Sequence, residues 1–404
     1  MKILQINLTY KMGSTGKIMA DLNDVLQQNG HEGFMLCAYA NENGDVPGLY
    51  CFHKKHAWFY IRRDLLESRI TGKMGYSRSH QTRKALQWIE EIHPDIVHLH
   101  NIHGNWIQIF MLMDYLRKNK IPVVWTLHDC WGFTGRCSHF SVANCKKWKT
   151  GCYNCNNHKV YPITYFFDFS KKMWMDKRAA FSSLPEMKIV TPSEWLSQYV
   201  KESYLKKYSI TIINNGIDIH QFYPQTEQSK YYYGMTEKKI VLGVAASWTK
   251  RKGLLDLYEI EKYLDMEKYQ VVIVGLNARQ LNDVPSGILG IGRTENVKEL
   301  VQIYSGATVF INPTYEDNYP TVNLEALACG TPVVTYKTGG SGESITPETG
   351  AVVAQGDLKE MAAKVKLIAD NIEVYRDNCR KYAEQHFDKW VKYEQYIKLY
   401  KSIL

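Results

Sequence analysis

A short helix that follows a buried strand carries the residues most able to do chemistry. Pro320 suits the first turn of a helix, where its missing N–H costs nothing, and Gly330 suits the position just past the last turn, so a helix is expected from about Pro320 to Cys329. At the carboxyl edge of a parallel sheet, the N-terminus of such a helix presents free N–H groups and a positive dipole end to anions. Thr321 and Val322 are well placed there to hold a diphosphate.

Two carboxylates bracket this anion site from opposite sides. Asp317 lies in the loop in front of the helix, and Glu325 points inward a little more than one turn into it. Carboxylates accept hydrogen bonds from hydroxyl groups and do not bind phosphate. Sugar hydroxyls on one side of a diphosphate and ribose hydroxyls on the other describe a nucleotide sugar. The alternative is a surface loop followed by a capped core helix.

The stretch from Asn312 to Val334 resembles the paired-acid signature of the retaining glycosyltransferases of family 4, which have the GT-B fold. In that family an acidic residue is followed by seven others, then by Glu and by Ala-Xaa-Ala-Cys-Gly-Xaa-Pro-Val-Val. The family more often has Glu first, whereas the spacing in this chain places Asp317 opposite Glu325. The resemblance therefore implies that Asp317 or Glu316 holds the donor sugar and that Glu325 holds the ribose. It extends donor binding to Asn318 and Tyr319.

Two loops near the N-terminus could face the same ligand. Gly13 and Gly16 lie in a glycine-rich loop between the first strand and a helix, but their spacing is not that of the dinucleotide fingerprint or of a Walker loop. The resemblance implies that this loop touches the donor phosphate or the acceptor. His128 ends a later strand and resembles the family's Thr-Xaa-His histidine, which reaches the transferred sugar. A histidine satisfied within the core is the alternative.

Cations in a third loop would neutralise a leaving diphosphate, on which negative charge builds as the glycosidic bond breaks. Lys252-Gly253 resembles the family's Lys-Gly pair; the usual arginine a turn earlier is missing, so Arg251 is expected to substitute. The resemblance also places the nucleotide base near Arg293. A merely solvated basic loop is the alternative. No Asp-Xaa-Asp occurs, so no cofactor is expected to be required for catalysis.

The resemblance covers nearly all of the 404 residues, and its motifs occur in the family's order. It implies an α/β protein with the GT-B fold, that is, two facing Rossmann-like domains with a deep cleft between them. The expected N-terminal, acceptor-binding domain covers 1–207, with a cysteine-rich insertion at 130–158. The nucleotide-sugar domain covers 208–384, and a helix at 385–404 crosses back to the first domain.

Five of the nine cysteines lie in that insertion, and four of these could hold a metal ion together. They are Cys137, Cys145, Cys152 and Cys155. Four thiolates make a closed, structural zinc site, and the spacing of the last two cysteines fits one, although the other gaps are longer than those of standard zinc ribbons. Unmetallated cysteines are the alternative. Nine cysteines in a chain of this size do not indicate a disulfide framework.

The formal charge of +9 is unevenly distributed. A basic stretch with interleaved aromatic residues runs from Lys54 to Lys84, and a second aromatic stretch with cations runs from Tyr161 to Arg178. Each could lie on an anionic membrane or be an ordinary helix face. Nucleic acid fits less well, because no recognised binding module accompanies the charge. The sequence has no membrane-spanning run or signal-peptide pattern, so a cytoplasmic protein, peripheral at the inner membrane face, is expected.

Taken together, these patterns predict the transfer of a sugar from a nucleotide diphosphate sugar to a hydroxyl, with retention and without a catalytic metal. The cysteine-rich insertion looks like that of enzymes that build capsule, exopolysaccharide or lipopolysaccharide repeat units on a lipid-linked glycan acceptor. Two alternatives stay open at this point. One is an inactive partner subunit that binds sugar nucleotides, and the other is a nucleotide-sugar epimerase of related fold.

Overall fold

A computed structural model of the chain describes residues 1–42, 44–158, 162–225, 234 and 236–404. The chain divides into two compact units. The first consists of Met1–Asn214 together with Tyr393–Leu404, and the second is Asn215–Lys392. Each unit has a hydrophobic core of its own.

The first unit is built on a seven-stranded parallel sheet with the strand order β3-β2-β1-β4-β5-β6-β7. Strands such as β5 are buried along their whole length, as is typical of parallel strands covered by helices on both faces. The strands are β1 (Lys2–Thr9), β2 (Glu32–Tyr39), β3 (Leu49–His53), β4 (Ile96–Leu99), β5 (Val123–Thr126), β6 (Met187–Thr191) and β7 (Ser209–Ile212). The helices are α1 (Gly13–Gln28), α2 (Ala57–Thr71), α3 (Ser79–Ile92), α4 (Ile109–Lys118), α5 (Ser170–Phe181) and α6 (Glu194–Glu202).

The second unit repeats this plan with a six-stranded parallel sheet in the order β10-β9-β8-β11-β12-β13. Its strands are β8 (Lys239–Val244), β9 (Tyr269–Val274), β10 (Ile288–Ile291), β11 (Val309–Asn312), β12 (Val333–Tyr336) and β13 (Gly350–Val353). Its helices are α7 (Leu254–Glu259), α8 (Ala278–Asn282), α9 (Val297–Gly306), α10 (Thr321–Ala328), α11 (Leu358–Ala369) and α12 (Ile372–His386), and α13 (Lys389–Lys401) carries the chain into the first unit again.

Both sheets reverse their strand order at one point, between β1 and β4 in the first unit and between β8 and β11 in the second. Ligands of such sheets bind outside the carboxyl ends of the strands at that point. The loops that follow these four strands are therefore where the site residues are to be sought.

The division of the chain differs slightly from the expected domain limits. We expected the first domain to end at 207, but β7 pairs with β6, so the first unit continues to Asn214. We expected the returning helix from 385, whereas α12 ends at His386 and the part of α13 that belongs to the first unit begins at Tyr393. Tyr396 and Tyr400 of that helix are buried and donate or accept hydrogen bonds within the first unit, which explains its assignment.

Candidate active site

In the second unit, the basic loop after β8 and the acidic loop after β11 are joined to each other. Lys252 Nζ forms an ion pair with Asp317 Oδ2, and Arg251 Nη1 donates to the carbonyl oxygen of Glu316. The backbone N–H of Tyr315 donates to the carbonyl of Arg251 over 2.7 Å. Two loops of opposite charge, 65 residues apart in the sequence, are therefore joined by direct contacts.

Glycines make this close approach of two loops feasible. Gly253 has a φ of +75°, and a Cβ atom there would collide with the carbonyl oxygen of Pro313. Gly339, with a φ of +55°, lies against the backbone of Asp317 in the same way, and the neighbouring Gly340 N–H donates to the Asp317 carbonyl over 3.1 Å. Only glycine combines this backbone conformation with so small a volume.

The acidic side chains differ in exposure. The Asp317 carboxylate is 18% exposed, and its Oδ1 accepts from the N–H of Asn318 over 3.0 Å. Glu316 is 1% exposed, and Asn318 and Tyr319 are also buried. Asp317 is thus the acidic residue of this loop that a ligand can reach more easily.

Helix α10 begins directly behind this loop. Pro320 is its N-cap and provides no side-chain hydrogen bond, so the first N–H groups, those of Thr321 and Val322, are not capped by it. Glu325 is partly exposed on the same helix, and its Oε2 accepts from the hydroxyl of Tyr304 over 3.3 Å. Tyr304 was not predicted as a site residue; it comes from α9, and nothing in its local sequence indicates the contact.

Buried amides fix this helix to its strand. Asn312 Nδ2, at the end of β11, donates to Asn323 Oδ1 over 2.8 Å. Asn323 Nδ2 donates in turn to the Ser341 carbonyl over 3.0 Å. These residues were also missed, although a polar residue at the end of an apolar strand is a usable signal. Buried polar groups that are fully hydrogen-bonded define a single geometry, so this network sets the position of the α10 N-terminus.

Arg293 lies apart from these contacts. It is exposed in the loop after β10, which is the edge strand of the sheet. The end of β10 is at the same carboxyl edge as the ends of β8 and β11, because all strands are parallel.

In the first unit, the glycine-rich loop after β1 is tightly folded. Gly13 has a φ of +68° and begins α1. A Cβ atom on Gly16 would lie 2.8 Å from Thr9 Oγ1 and 3.0 Å from the Thr9 carbonyl, so the backbone needs glycine at this position. The loop therefore brings main-chain atoms, with little side chain, to the carboxyl end of β1.

Histidines collect at the ends of β4 and β5. His100 Nδ1 lies 3.0 Å from His128 Nε2, and their rings are stacked at an interplanar angle of 12°. Burial lowers the pKa of His128 to about 4, so the ring is neutral near pH 7. His103 Nε2 lies 3.1 Å from Asp129 Oδ2; burial would raise the pKa of Asp129, but His103 and the Trp131 N–H outweigh it and lower that pKa to about 2.

The four candidate zinc ligands of the insertion lie near one another in the first unit. The neighbouring Cys155 raises the pKa of the Cys137 thiol, Cys137 lowers that of Cys155 to about 6, and the Gly135 N–H donates to Cys152 Sγ over 3.1 Å. As they stand, no three His, Cys, Asp or Glu side chains within the described ranges are arranged to hold one metal ion. The zinc site stays a prediction.

Comparison with known protein families shows which family the chain belongs to. A family model described as "Glycosyltransferase Family 4" matches residues 16–221, about half of the chain. The chain belongs to glycosyltransferase family 4. A second model, described as "Glycosyl transferases group 1", matches residues 238–371 of this family 4 protein.

Curated relatives are similar over part of their length. The putative colanic acid biosynthesis glycosyl transferase WcaC of Escherichia coli is 24% identical over 285 residues, which are 66% of this chain and 66% of WcaC. The capsular polysaccharide biosynthesis glycosyltransferase CapM of Staphylococcus aureus is 28% identical over 250 residues, which are 57% of this chain and 64% of CapM. The chain thus matches somewhat less than two thirds of the length of these relatives.

Solved structures resemble the whole chain. A sucrose-phosphate synthase from Thermosynechococcus elongatus has a TM-score of 0.72 and 17% identity, over 99% of this chain and 98% of that protein. HepE from Anabaena, solved in complex with UDP-glucose, has a TM-score of 0.66 and 15% identity, over 100% of both chains. These likenesses confirm that the chain has the GT-B class of fold.

Proposed function

We propose that this family 4 protein transfers a sugar from a nucleoside diphosphate sugar to a hydroxyl group of an acceptor, with retention at the anomeric carbon. The observation that carries the proposal is the pairing of Lys252 with Asp317 in front of the α10 N-terminus. Cations, a carboxylate and helix N–H groups there offer partners for both a diphosphate and a sugar. The complex of HepE with UDP-glucose supports a donor of this kind.

The diphosphate is assigned to the cations and the helix. Arg251 and Lys252, with the N–H groups of Thr321 and Val322, neutralise the charge that builds on the leaving oxygen. Because Arg251 is bound to the Glu316 carbonyl, the cations and the acidic loop hold a fixed geometry before the donor arrives. Preorganised charge of this kind needs no catalytic divalent cation, so chelators are expected to leave transfer unaffected.

The hydroxyl groups of the donor are assigned to the carboxylates. Asp317 accepts from the transferred sugar and Glu325 from the ribose. His128, neutral near pH 7, meets the reacting face of the sugar. No residue is assigned as a dedicated base; the departing phosphate is proposed to assist removal of the acceptor proton.

The acceptor is proposed to be a lipid-linked glycan of a bacterial surface polysaccharide. The colanic acid and capsule enzymes among the relatives support the pathway. A Campylobacter jejuni relative, 26% identical over 52% of this chain and 58% of its own, is named as transferring N-acetylgalactosamine to a diphospho-undecaprenol glycan. That name supports an acceptor embedded in a membrane.

Nucleotide binding is the first test. UDP, GDP, ADP and TDP, each alone and as common sugar conjugates, are added to wild type and to Glu325→Ala in a thermal-shift assay. One series is expected to stabilise the wild type, by about 2.7 kcal/mol at a hundredfold excess over Kd, and to lose most of this effect in the variant. Asp370→Ala, a surface carboxylate of the second unit, is the control. Absence of any response would remove the proposed donor site.

Transfer itself is tested with the nucleotide sugar found in this way. Nucleoside diphosphate is expected to appear together with a glycosylated lipid-linked acceptor. NMR of the product should show that the anomeric carbon of the transferred sugar keeps the configuration that it has in the donor. Binding without product would identify an inactive partner subunit, and a changed sugar on an intact nucleotide would identify an epimerase.

A surface of the first unit suits attachment to the membrane that would hold this acceptor. Helix α2 exposes Trp58, Phe59, Leu66 and Ile70, which recur at helical spacing and are 46–66% exposed. The loop 165–167 adds Tyr165, Phe166 and Phe167, which are 52–70% exposed. The Tyr165 N–H donates to the Arg69 carbonyl over 2.9 Å, so loop and helix form one aromatic surface. No helix in the described part of the chain is both long and apolar enough to cross a bilayer.

Cations around this aromatic surface support the proposal that it attaches to an anionic bilayer. Arg62 and Arg69 lie on α2 among the exposed apolar side chains. Other cations of the basic stretch serve the fold: Arg63 and Arg78 both pair with Asp64, over 2.9 and 2.6 Å. Each cation that remains near the lipid would contribute about 1 kcal/mol at low salt, in addition to insertion of the aromatic rings.

Vesicle flotation tests this attachment. Wild type is expected to float with vesicles of phosphatidylcholine and phosphatidylglycerol, less with phosphatidylcholine alone, and less as salt rises. The double change Phe59→Ser, Phe166→Ser and the change Arg62→Gln should each reduce flotation. Val374→Ser, on an exposed apolar residue of the second unit, is the control. Unchanged flotation in all variants would exclude this surface.

A further inference from the structure

A chain of three hydrogen bonds leads from the core of the first unit to His128. Gln5, in the middle of β1, donates through Nε2 to the Met19 carbonyl over 3.1 Å. Its Oε1 lies 3.1 Å from His100 Nε2, and His100 Nδ1 lies 3.0 Å from His128 Nε2. Gln5 and His100 are at most 1% exposed, so no solvent competes for these bonds.

The positions of the protons along this chain follow from its first member. A carbonyl oxygen can only accept, so the amide nitrogen of Gln5 faces Met19 and its oxygen faces His100. That oxygen also only accepts, so His100 carries its proton on Nε2. Burial holds the pKa of His100 well below its ordinary value, so the ring is neutral and its Nδ1 is an acceptor. His128 must then donate from Nε2.

The surroundings of His100 leave it little freedom to change. Its ring is stacked on that of His98, with centroids 4.1 Å apart, and Trp125 Nε1 donates to its carbonyl over 3.0 Å. His98 itself is bound through Nε2 to Thr126 Oγ1 at 2.8 Å and through Nδ1 to the Tyr400 hydroxyl at 2.6 Å. If His100 carried its proton on Nδ1 instead, its Nε2 and the Gln5 oxygen would both be acceptors. These two buried atoms would then face each other without a hydrogen bond, which is costly.

We propose that Gln5 and His100 are positioning residues that hold His128 as the Nε2–H tautomer and in one ring orientation, and that sugar transfer depends on this tautomer. This inference rests on the proposed function of His128. The hydrogen bond that one ring nitrogen makes decides which nitrogen of a histidine carries the proton, and therefore what each nitrogen can do. The other tautomer would exchange the donor and acceptor nitrogens of the ring.

The tautomer is measured without any substrate. Long-range proton–nitrogen NMR spectra of protein labelled with nitrogen-15 histidine, recorded near neutral pH, distinguish protonated from unprotonated ring nitrogens. His128 is expected to carry its proton on Nε2 in the wild type, and to show mixed or reversed protonation in Gln5→Met and in His100→Phe. A wild-type His128 protonated on Nδ1, or an unchanged tautomer in both variants, overturns the proposal.

Activity then links the tautomer to the reaction. Gln5→Met is expected to lower kcat/KM by about tenfold, the loss of one well-placed hydrogen bond. Thr82→Val is the matched control, because it also removes a buried hydrogen bond of the first unit, to the Gln108 N–H at 2.8 Å, away from the histidines. It should lose stability and keep the tautomer and the activity. If no nucleotide sugar is a donor, the proposed function fails, while the NMR result still decides the tautomer. A Gln5→Met variant with a reversed His128 tautomer and full activity overturns the positioning role of Gln5.

Discussion

At the scale of single residues, Asp317 and Glu316 differ in what they can reach. Asp317 is partly exposed and paired with Lys252, whereas Glu316 is almost fully buried. Asp317→Asn is therefore expected to lower kcat by about a hundredfold and to leave the fold intact. Glu316→Gln should instead lower the free energy of unfolding by about 1–3 kcal/mol. Steady-state kinetics and urea denaturation separate the two, and the opposite pattern would assign the donor sugar to Glu316.

Three neighbouring histidines make the stability of the first unit depend on pH. Burial lowers the pKa of His98 and His100 well below the ordinary value and that of His128 to about 4. The pKa of each histidine is lower in the folded chain than its unfolded value of about 6.5. At pH values between the two, the unfolded chain therefore binds more protons than the folded chain. The stabilisation is thus fully present above about pH 6.5 and is lost as pH falls toward the folded values.

We expect each of these histidines to contribute a slope of up to about 1.4 kcal/mol per pH unit in that window. Urea denaturation of the first unit, measured by tryptophan fluorescence at several pH values, gives the slope. His98→Asn should flatten it, and His220→Asn, an exposed histidine of the second unit, should not. A stability that does not change with pH below about 6.5 would mean that these rings are not held neutral by the fold.

At the scale of elements, the turn after β12 supports the acidic loop through Gly339. A Cβ atom there would collide with the Asp317 carbonyl, and the φ of +55° is unfavourable for other residues. Gly339→Ala is expected to cost about 3 kcal/mol or more and to weaken donor binding, since Asp317 must move. Gly356→Ala is the control: its φ is +81°, but a Cβ meets nothing within 4 Å, so only about 1 kcal/mol is expected. Equal losses in calorimetry would show that the contact with Asp317 does not matter.

The cysteine-rich insertion shares its surroundings with two buried cations. Arg136 is 3% exposed and its Nη1 has no hydrogen-bond partner among the described residues, while Lys177 is fully buried. Neither forms a direct ion pair with a carboxylate in the part of the chain that the structure describes; Asp168 acts on Arg136, and Asp129 on Lys177, only from a greater distance. Buried cations need compensating negative charge. We propose that the thiolates of a structural zinc site supply it, once the four cysteine side chains turn toward one metal ion.

Metal analysis tests this site in protein purified without a polyhistidine tag. About one zinc per chain is expected, with loss of zinc and a lower Tm in Cys152→Ser. Cys379→Ser, on a buried cysteine of the second unit, should keep the metal. Cobalt substitution should give the visible bands of a tetrahedral thiolate complex. Metal-free protein whose Tm does not respond to added zinc would leave the cysteines as unmetallated core residues.

At the scale of the whole molecule, the sequence predicts the fold well because apolar strands alternate regularly with amphipathic helices and the loop motifs occur in order. Contacts between distant residues could not be predicted in the same way. Gln5 and His100 are separated by 95 positions, and the Tyr304 contact to Glu325 depends on how α9 packs beside α10. The sequence predicted that Lys252 and Asp317 belong to one ligand site, but it did not predict that the two side chains form an ion pair. Local patterns indicate which loops carry chemistry, whereas the packing of the sheet decides which side chains meet.

The discontinuous first unit allows a final prediction about the C-terminus. Tyr396 and Tyr400 are buried in it, and their hydroxyls bond Thr126 at 3.0 Å and His98 at 2.6 Å. A chain that ends at Lys392 loses both rings, at a cost of about 3–5 kcal/mol for each large aromatic residue, which is comparable to the whole stability of a domain. The first unit should therefore unfold although its sheet is complete.

Limited proteolysis with mass spectrometry shows whether the first unit unfolds in the shortened chain. The chain that ends at Lys392 should leave a resistant fragment from the second unit, whose own cores are intact, and lose the first. A chain that ends at Tyr400 is the control, because it lacks only residues 401–404, which are largely exposed, and it should resist proteolysis like the full chain. If the shorter chain keeps a resistant first unit, the two tyrosines do not hold the histidine cluster in place, and His98 would have to be fixed by Thr126 alone.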